Sequence, residues 1–211
     1  MKILLTNDDG IDSQRLKFTR DVLLEYGEVY IVAPRVEQSA KSMSLTIGGV
    51  KYNKINNYEY SVDGTPVDCI NFAIQGLKLN PDLIVSGTNM GYNIGIDTRY
   101  SGTVGAALQG QYFGYKTLAL SAERGPGTIL HNELKDIIKF VLDKNLLSEN
   151  HTINVNFARD KYGFSKGILL GRTYYRQHLY KPTMVDGVFK PNRVFNSKTE
   201  YPEDTDVYAY Y

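Results

Sequence analysis

A chain of 211 residues with 42% hydrophobic residues is long enough for one large domain, or for one domain with an extension. Its formal net charge of +1 gives no electrostatic drive toward nucleic acid, and we expect no nucleic-acid partner. The single cysteine, Cys69, excludes a disulfide framework and a multi-cysteine zinc site. No stretch approaches the ~20 apolar residues of a membrane span, and no signal peptide is recognisable, so we expect a cytoplasmic protein without a membrane partner.

The first part of the chain alternates apolar runs with segments of helical periodicity. Short apolar runs indicate buried strands, and apolar residues spaced three and four apart indicate an amphipathic helix that Asp12 or Ser13 can cap. The predicted elements are a strand over 2–6, a helix over 13–26, a strand over 29–33 and a β-hairpin within 43–62 that turns near 56–57.

The middle of the chain continues this alternation. Thr65, Pro66 and Asp68 form a strong helix start, with a capping hydroxyl, a proline at the first helical position and an acid in the first turn. The predicted elements are a helix over 65–76, a strand over 83–85 that ends in the polar residues 86–89, a glycine-rich loop over 90–100, a helix from 101, a strand over 117–121, a helix around 134–142 and a strand over 153–157.

Strands that alternate with helices of this length predict an α/β fold with a mostly parallel, doubly wound sheet and helices on both faces. Beyond about residue 163 the sequence changes to short β-like pieces, turn residues and tyrosines, without a clear helix. We therefore expect a core over residues 1–162 and a β-rich C-terminal extension of the same domain over residues 163–211.

Three polar segments follow predicted strand ends. They are the turn with Asp8 and Asp9, the loop with Ser39, and the segment from 86 to 103. In a parallel sheet these segments lie along one edge and can line one pocket. Adjacent carboxylates repel each other unless a positive group lies between them, and a set of carboxylate, hydroxyl and amide oxygens suits Mg²⁺ or Mn²⁺.

The last of these segments also opens a helix at Ser101, Gly102 and Thr103. Backbone N–H groups at a helix start favour an anion, and hydroxyls beside a glycine make a cradle for phosphate. A metal site beside a phosphate cradle is typical of phosphoryl-group hydrolysis. Each piece alone is also compatible with a simple turn, so the residues by themselves favour a metal-dependent phosphohydrolase without establishing one.

Four motifs together resemble the SurE family, the survival-protein-E 5′-nucleotidases. They are TNDDGI at 6–11, VAPRVEQSAKSMSLT at 32–46, VDGTPVDC at 62–69 and PDLIVSGTNMGYNIGIDTRYSGTVGAA at 81–107. The resemblance is close up to about residue 121. It implies a Rossmann-like core, a phosphatase that acts on nucleoside monophosphates with one divalent cation, Mg²⁺ or Mn²⁺, and a homodimer or homotetramer built through the C-terminal region.

Matching positions carry the family's site residues onto this chain. The resemblance implies metal ligands at Asp8, Asp9, Ser39 and Asn89. It implies substrate or phosphate contacts at Asn7, Asn93, Ser101, Gly102 and Thr103. Asp8 and Asp9 are the predicted catalytic residues, one of which also orients or deprotonates the attacking water.

The chain departs from the family after the acidic turn. Where the family often has His-Ala-Pro-Gly-Leu, this sequence has Asp-Ser-Gln-Arg-Leu at 12–16. Asp12 either caps the helix, which we favour, or adds negative charge near the site. The chain also ends soon after an acidic segment at 203–207, where the family continues into a further strand.

Two other functions remain open. A haloacid-dehalogenase-like phosphatase would form a phospho-aspartyl intermediate, although Asp8-Asp9 lacks its DxD spacing. A nucleotide-sensing module would bind metal and nucleotide without turnover. Activity on 3′-monophosphates and short polyphosphate is likewise undecided, and the tyrosines at 92, 100 and 174–180 fit either base contacts or interface packing.

Overall fold

The structure is a computed structural model that describes residues 1–174, 179–194 and 200–210. Residues 175–178 of the tyrosine-bearing segment singled out above lie outside this description. The chain divides into a larger unit, Met1–Asn93 with Thr98–Lys166, and a smaller unit, Ile94–Asp97 with Gly167–Tyr211.

Seven strands of the larger unit form one sheet in the order β3-β4-β2-β1-β5-β6-β7. The strands are β1 (Lys2–Thr6), β2 (Glu28–Pro34), β3 (Tyr52–Lys54), β4 (Glu59–Val62), β5 (Leu83–Met90), β6 (Thr117–Ala122) and β7 (Thr152–Asn156). All neighbours are parallel except β3 and β4, which form the predicted antiparallel hairpin at the edge. The central strands are buried on both faces, as their continuous apolar runs predict.

Four helices cover the two faces of the sheet: α1 (Gln14–Leu23), α2 (Pro66–Asn71), α3 (Gly102–Tyr112) and α4 (Thr128–Asp143). Alternation along β1 separates the two cores. Ile3 and Leu5 pack in the core that contains α1 and α4, whereas Leu4 packs in the core that contains α2. The predicted doubly wound, Rossmann-like α/β fold is confirmed.

The helix starts follow the local signals in the sequence. Thr65 and Asp68 form a reciprocal capping box at the start of α2, with Pro66 in the first turn. Ser101 caps α3 by accepting a hydrogen bond from the Val104 N–H. Of the two predicted caps of α1, Ser13 is the one observed, because its hydroxyl accepts a hydrogen bond from the Leu16 N–H; the assignment of Asp12 as the cap is wrong.

Two predicted boundaries are wrong. The strand predicted over 83–85 is longer, because β5 resumes pairing with β6 after a register shift between Ser86 and Asn89 and continues through Met90. Asn89, predicted to lie just past the end of this strand, is therefore part of β5 and pairs with Ser121 of β6. Helix α1 ends at Leu23, short of the predicted end at Tyr26.

The smaller unit contains short antiparallel pairs that match the predicted β-rich extension. Its strands are β8 (Leu179–Tyr180), β9 (Thr183–Val185), β10 (Val188–Lys190) and β11 (Arg193–Val194), with β9 paired to β10 and β8 to β11. Asp186 and Gly187 both have positive φ, the geometry of a tight two-residue hairpin. A short helix, α5 (Asp206–Tyr210), was not predicted. Its start is fixed by the buried Thr205, whose hydroxyl accepts a hydrogen bond from the Tyr208 N–H.

Across the described residues, no helix combines the length and the apolar character needed to cross a membrane.

Candidate active site

The turn after β1 is the point at which the predicted polar segments meet. The backbone N–H of Gln38, in the loop after β2, donates to the Asp8 carbonyl over 2.7 Å. The backbone N–H of Met90, at the end of β5, donates to the Asp9 carboxylate over 3.1 Å. Hydrogen bonds to one short turn therefore bring together the segments that carry Ser39 and Asn89.

The loop after β2 is also fixed against the start of α3. The Ser42 N–H donates to the Tyr100 carbonyl over 3.0 Å, and the Ser42 hydroxyl donates to the Arg99 carbonyl over 2.6 Å. A Cβ atom at Gly105 would lie 2.7 Å from the Ser42 carbonyl oxygen, so the close approach of this loop to α3 requires glycine. The first turn of α3 thus lies at the same edge of the sheet as the other segments.

Asp8 is the most deeply buried carboxylate of the site, with 3% of its surface exposed. Its Oδ1 accepts a hydrogen bond of 2.6 Å from the Thr103 hydroxyl in α3. Gly102 packs directly on it, because a Cβ at that position would lie 3.0 Å from the Asp8 Cβ. Burial raises the pKa of Asp8 from 3.8 to about 6; the Thr103 hydrogen bond opposes this rise, and the neighbouring Asp9 charge adds to it.

Asp9 is less buried than Asp8, yet burial raises the pKa of its carboxyl as well. The Met90 N–H and the charge of Arg15 partly oppose that rise. Two adjacent carboxylates, each of which loses solvation of its charged form, create a demand for positive charge. A divalent cation is one group that would supply such positive charge.

Ser39 and Asn89 complete the predicted set of oxygen donors. The Ser39 hydroxyl is exposed and donates to Glu37 Oε1 over 2.6 Å. The Asn89 Nδ2 donates to the Gly91 carbonyl over 2.8 Å, so Oδ1 is the amide atom suited to a cation. No group of three or more His, Cys, Asp or Glu side chains among the described residues could hold a metal ion. Asp8, Asp9, Ser39 and Asn89 offer carboxylate, hydroxyl and amide oxygens, a donor set that fits Mg²⁺ or Mn²⁺.

The remaining predicted contacts also carry structural bonds. The Asn7 side chain closes the acidic turn through the Gly10 N–H and carbonyl. Asn93 is buried, and its Nδ2 donates to the Ser121 hydroxyl over 2.8 Å. Ser101 serves as the cap of α3, and Thr103 donates to Asp8. Asn7 and Thr103 thus organise the acidic turn and its surroundings, in addition to any contact with a substrate.

Arg15 is a residue of this site that the sequence analysis did not single out. It lies in the first turn of α1, is 5% exposed, and donates four hydrogen bonds to backbone carbonyls, one of them that of Asn89. Its position beside the buried Leu16 was the available signal, because an arginine on the apolar face of a predicted helix needs polar partners inside the protein.

Comparisons with known proteins give consistent matches over most of the chain. Residues 3–179 match the family model described as Survival protein SurE. The 5′-nucleotidase SurE of Vibrio cholerae serotype O1 is 36% identical over 184 residues, which cover 84% of this chain and 72% of that protein. The 5′-nucleotidase SurE of Histophilus somni is 38% identical over 181 residues, which cover 83% of this chain and 72% of that protein. The crystal structure of the SurE protein from Aquifex aeolicus superposes with a TM-score of 0.79 and 30% identity, covering 100% of this chain and 90% of that one.

Proposed function

The chain belongs to the SurE family, and we propose that it is a divalent-metal-dependent 5′-nucleotidase that removes phosphate from nucleoside 5′-monophosphates. The names of its relatives support the activity. The observation that carries the proposal is the pair Asp8 and Asp9, two carboxylates with raised pKa values, of which Asp8 packs against Gly102 and accepts a hydrogen bond from Thr103 in the first turn of α3. Two carboxylates that attract a cation, beside a helix N-terminus that favours an anion, suit the binding of a phosphate ester together with its metal ion.

We assign one cation, Mg²⁺ or Mn²⁺, to Asp8, Asp9, Ser39 and Asn89. When bound, such an ion polarises a phosphoryl oxygen and lowers the pKa of water. The donor atoms come from the ends of β1 and β5 and from the loop after β2, three segments that are already joined by hydrogen bonds. Binding therefore requires little rearrangement of the backbone, which favours affinity.

The side chains of the site divide the work of hydrolysis. Thr103 fixes the orientation of Asp8 through its hydrogen bond, and one of the two aspartates orients or deprotonates the attacking water. The backbone N–H groups of the first turn of α3, at Gly102 and Thr103, stabilise negative charge on the phosphoryl oxygens. The Asn93 amide has two N–H groups, so one can donate to those oxygens while the other keeps its bond to the Ser121 hydroxyl.

The experiment is a phosphate-release assay on the purified protein with a panel of nucleoside 5′- and 3′-monophosphates and short polyphosphate. We expect release from 5′-monophosphates with Mg²⁺ or Mn²⁺, loss of release in EDTA, and recovery when the metal is restored. Nucleotide binding without release would support a sensing module instead. A trapped phospho-aspartyl enzyme would support the haloacid-dehalogenase-like mechanism and contradict direct attack by water.

We also propose that the C-terminal region joins copies of the chain into a homodimer or homotetramer. The hairpin β9–β10 exposes four apolar side chains, Met184, Val185, Val188 and Phe189. Such a cluster on a short hairpin is typical of an interface. Phe189→Lys should lower the molar mass measured by light scattering after size-exclusion chromatography, and a wild-type monomer at micromolar concentration would contradict the proposal.

A further inference from the structure

Arg15 forms an unusual set of contacts for a buried arginine. Its Nη1 donates to the Asn89 carbonyl over 3.0 Å and to the Ala122 carbonyl over 3.3 Å. Its Nη2 donates to the Glu123 carbonyl over 2.6 Å and to the Gly125 carbonyl over 3.1 Å. All four acceptors are backbone carbonyls, so the guanidinium acts here as a connector of main-chain segments.

These carbonyls lie at the carboxyl ends of two neighbouring strands. Asn89 is the second-last residue of β5, and Ala122 is the last residue of β6. The other two acceptors follow Ala122 in the loop that leads to α4. The pairing of β5 with β6 is shifted between Ser86 and Asn89, so the regular ladder is interrupted just before the site. The rigid fork of Arg15 bridges the two strand ends beyond that interruption.

The positive charge of Arg15 lies near two carboxylates. Burial lowers the pKa of Arg15, and the nearby carboxylates of Asp9 and Asp160 oppose that effect. The guanidinium of Arg15 thus lies close to the acidic turn and is also hydrogen-bonded to the backbone of β5.

We propose that Arg15 is a positioning residue of the active site, which clamps the ends of β5 and β6 and thereby fixes how Asn89 presents its side chain to the cation. This inference rests on the proposed function for the assignment of Asn89 as a ligand. Arg15 itself donates to backbone carbonyls, and it acts on the site through the strand ends that it joins.

The test compares Arg15→Met, which keeps the length and packing of the stem, with Arg15→Lys, which keeps the charge but loses the fork. Mn²⁺ binding is measured by electron paramagnetic resonance on nucleotide-free protein, alongside thermal unfolding and amide exchange at Met90. Loss of a residue that supports a metal ligand typically weakens metal binding about 10–100-fold, and we expect this range for Arg15→Met, with faster exchange at Met90 and an intermediate value for Arg15→Lys. Turnover of Arg15→Met should recover as the Mn²⁺ concentration is raised.

The matched control is Arg20→Met in the same helix. Arg20 forms surface ion pairs with Asp21 and Glu59, which contribute little to stability, and neither partner is a proposed ligand. We therefore expect its loss to leave Mn²⁺ affinity within about twofold of wild type. Mn²⁺ affinity of Arg15→Met within the same limit, with only a lower unfolding temperature, would overturn the inference by showing a purely structural role. If Arg15→Met does not fold, unchanged affinity and Met90 exchange in Arg15→Lys would overturn it.

The outcome for the wild type separates this inference from the proposed function. Protein that binds Mn²⁺ but releases no phosphate contradicts the proposed activity, while the affinity series still decides the role of Arg15. Protein that binds no Mn²⁺ overturns the assigned cation site and the inference together.

Discussion

Replacement of Asp8 by asparagine should stabilise the metal-free protein while destroying its metal site. Asp8 is 3% exposed, and its pKa is raised from 3.8 to about 6, chiefly by burial. The folded state thus holds a proton on Asp8 more tightly than the unfolded state does. At a pH above both values, the buried charge costs about 3 kcal/mol of unfolding free energy, since each unit of pKa shift corresponds to about 1.4 kcal/mol.

The sign and the pH window follow from the direction of the shift. An acid whose pKa is raised on folding loses stability as the pH rises from its unfolded to its folded pKa. The stabilisation by Asp8→Asn should therefore be about 3 kcal/mol near pH 7.5 and shrink to about 1 kcal/mol near pH 4.5. The Oδ1 of an asparagine can still accept the hydrogen bond from the Thr103 hydroxyl, so little else in the site needs to change.

The assay is urea unfolding followed by circular dichroism in EDTA, for wild type and variant at several pH values. The difference between the two proteins removes the contributions of all other titrating groups. Asp12→Asn, an exposed aspartate four residues away, is the control and should leave stability unchanged. Mn²⁺ at about 100 times its dissociation constant should then stabilise wild type by about 2.7 kcal/mol and leave Asp8→Asn unaffected. A variant in EDTA that is no more stable than wild type near neutral pH, or a difference that does not shrink in acid, would refute the reasoning.

Three further substitutions test the geometry of the site. Asp9→Asn should abolish phosphate release with an unchanged circular dichroism spectrum, and residual wild-type activity would remove Asp9 from the mechanism. Gly102→Ala places a Cβ 3.0 Å from the Asp8 Cβ and 3.2 Å from the Pro66 Cγ, so Asp8 must shift. Turnover at saturating metal should therefore fall roughly tenfold. An unchanged kcat would show that this contact does not position Asp8. Thr103→Val removes the hydrogen bond that lowers the pKa of Asp8. The pH midpoint of Mn²⁺ binding, measured by calorimetry, should therefore rise by about one pH unit. An unchanged midpoint would contradict the role assigned to Thr103.

Much of the fold follows from local signals in the sequence. The order of strands and helices, the hairpin over β3 and β4, and the caps at Thr65 and Ser101 depend on residues within a few positions of one another. Local signals are also why the boundaries of β5 and the helix α5 were missed. Gly87 resembles a turn until β6 is alongside to continue the ladder, and α5 is too short for a periodic pattern to reveal it.

By itself, the sequence determined that Asp8 and Asp9 follow a buried strand and that a helix starts at Ser101, because strand burial and helix capping are properties of neighbouring residues. Only the tertiary structure decided that Thr103 bonds to Asp8, that the loop of Ser39 lies on the same turn, and that Arg15 reaches the carbonyl of Asn89. These contacts join residues 30 to 95 positions apart, and the direction of each depends on strand order and on the burial that forces polar groups to find partners inside the protein.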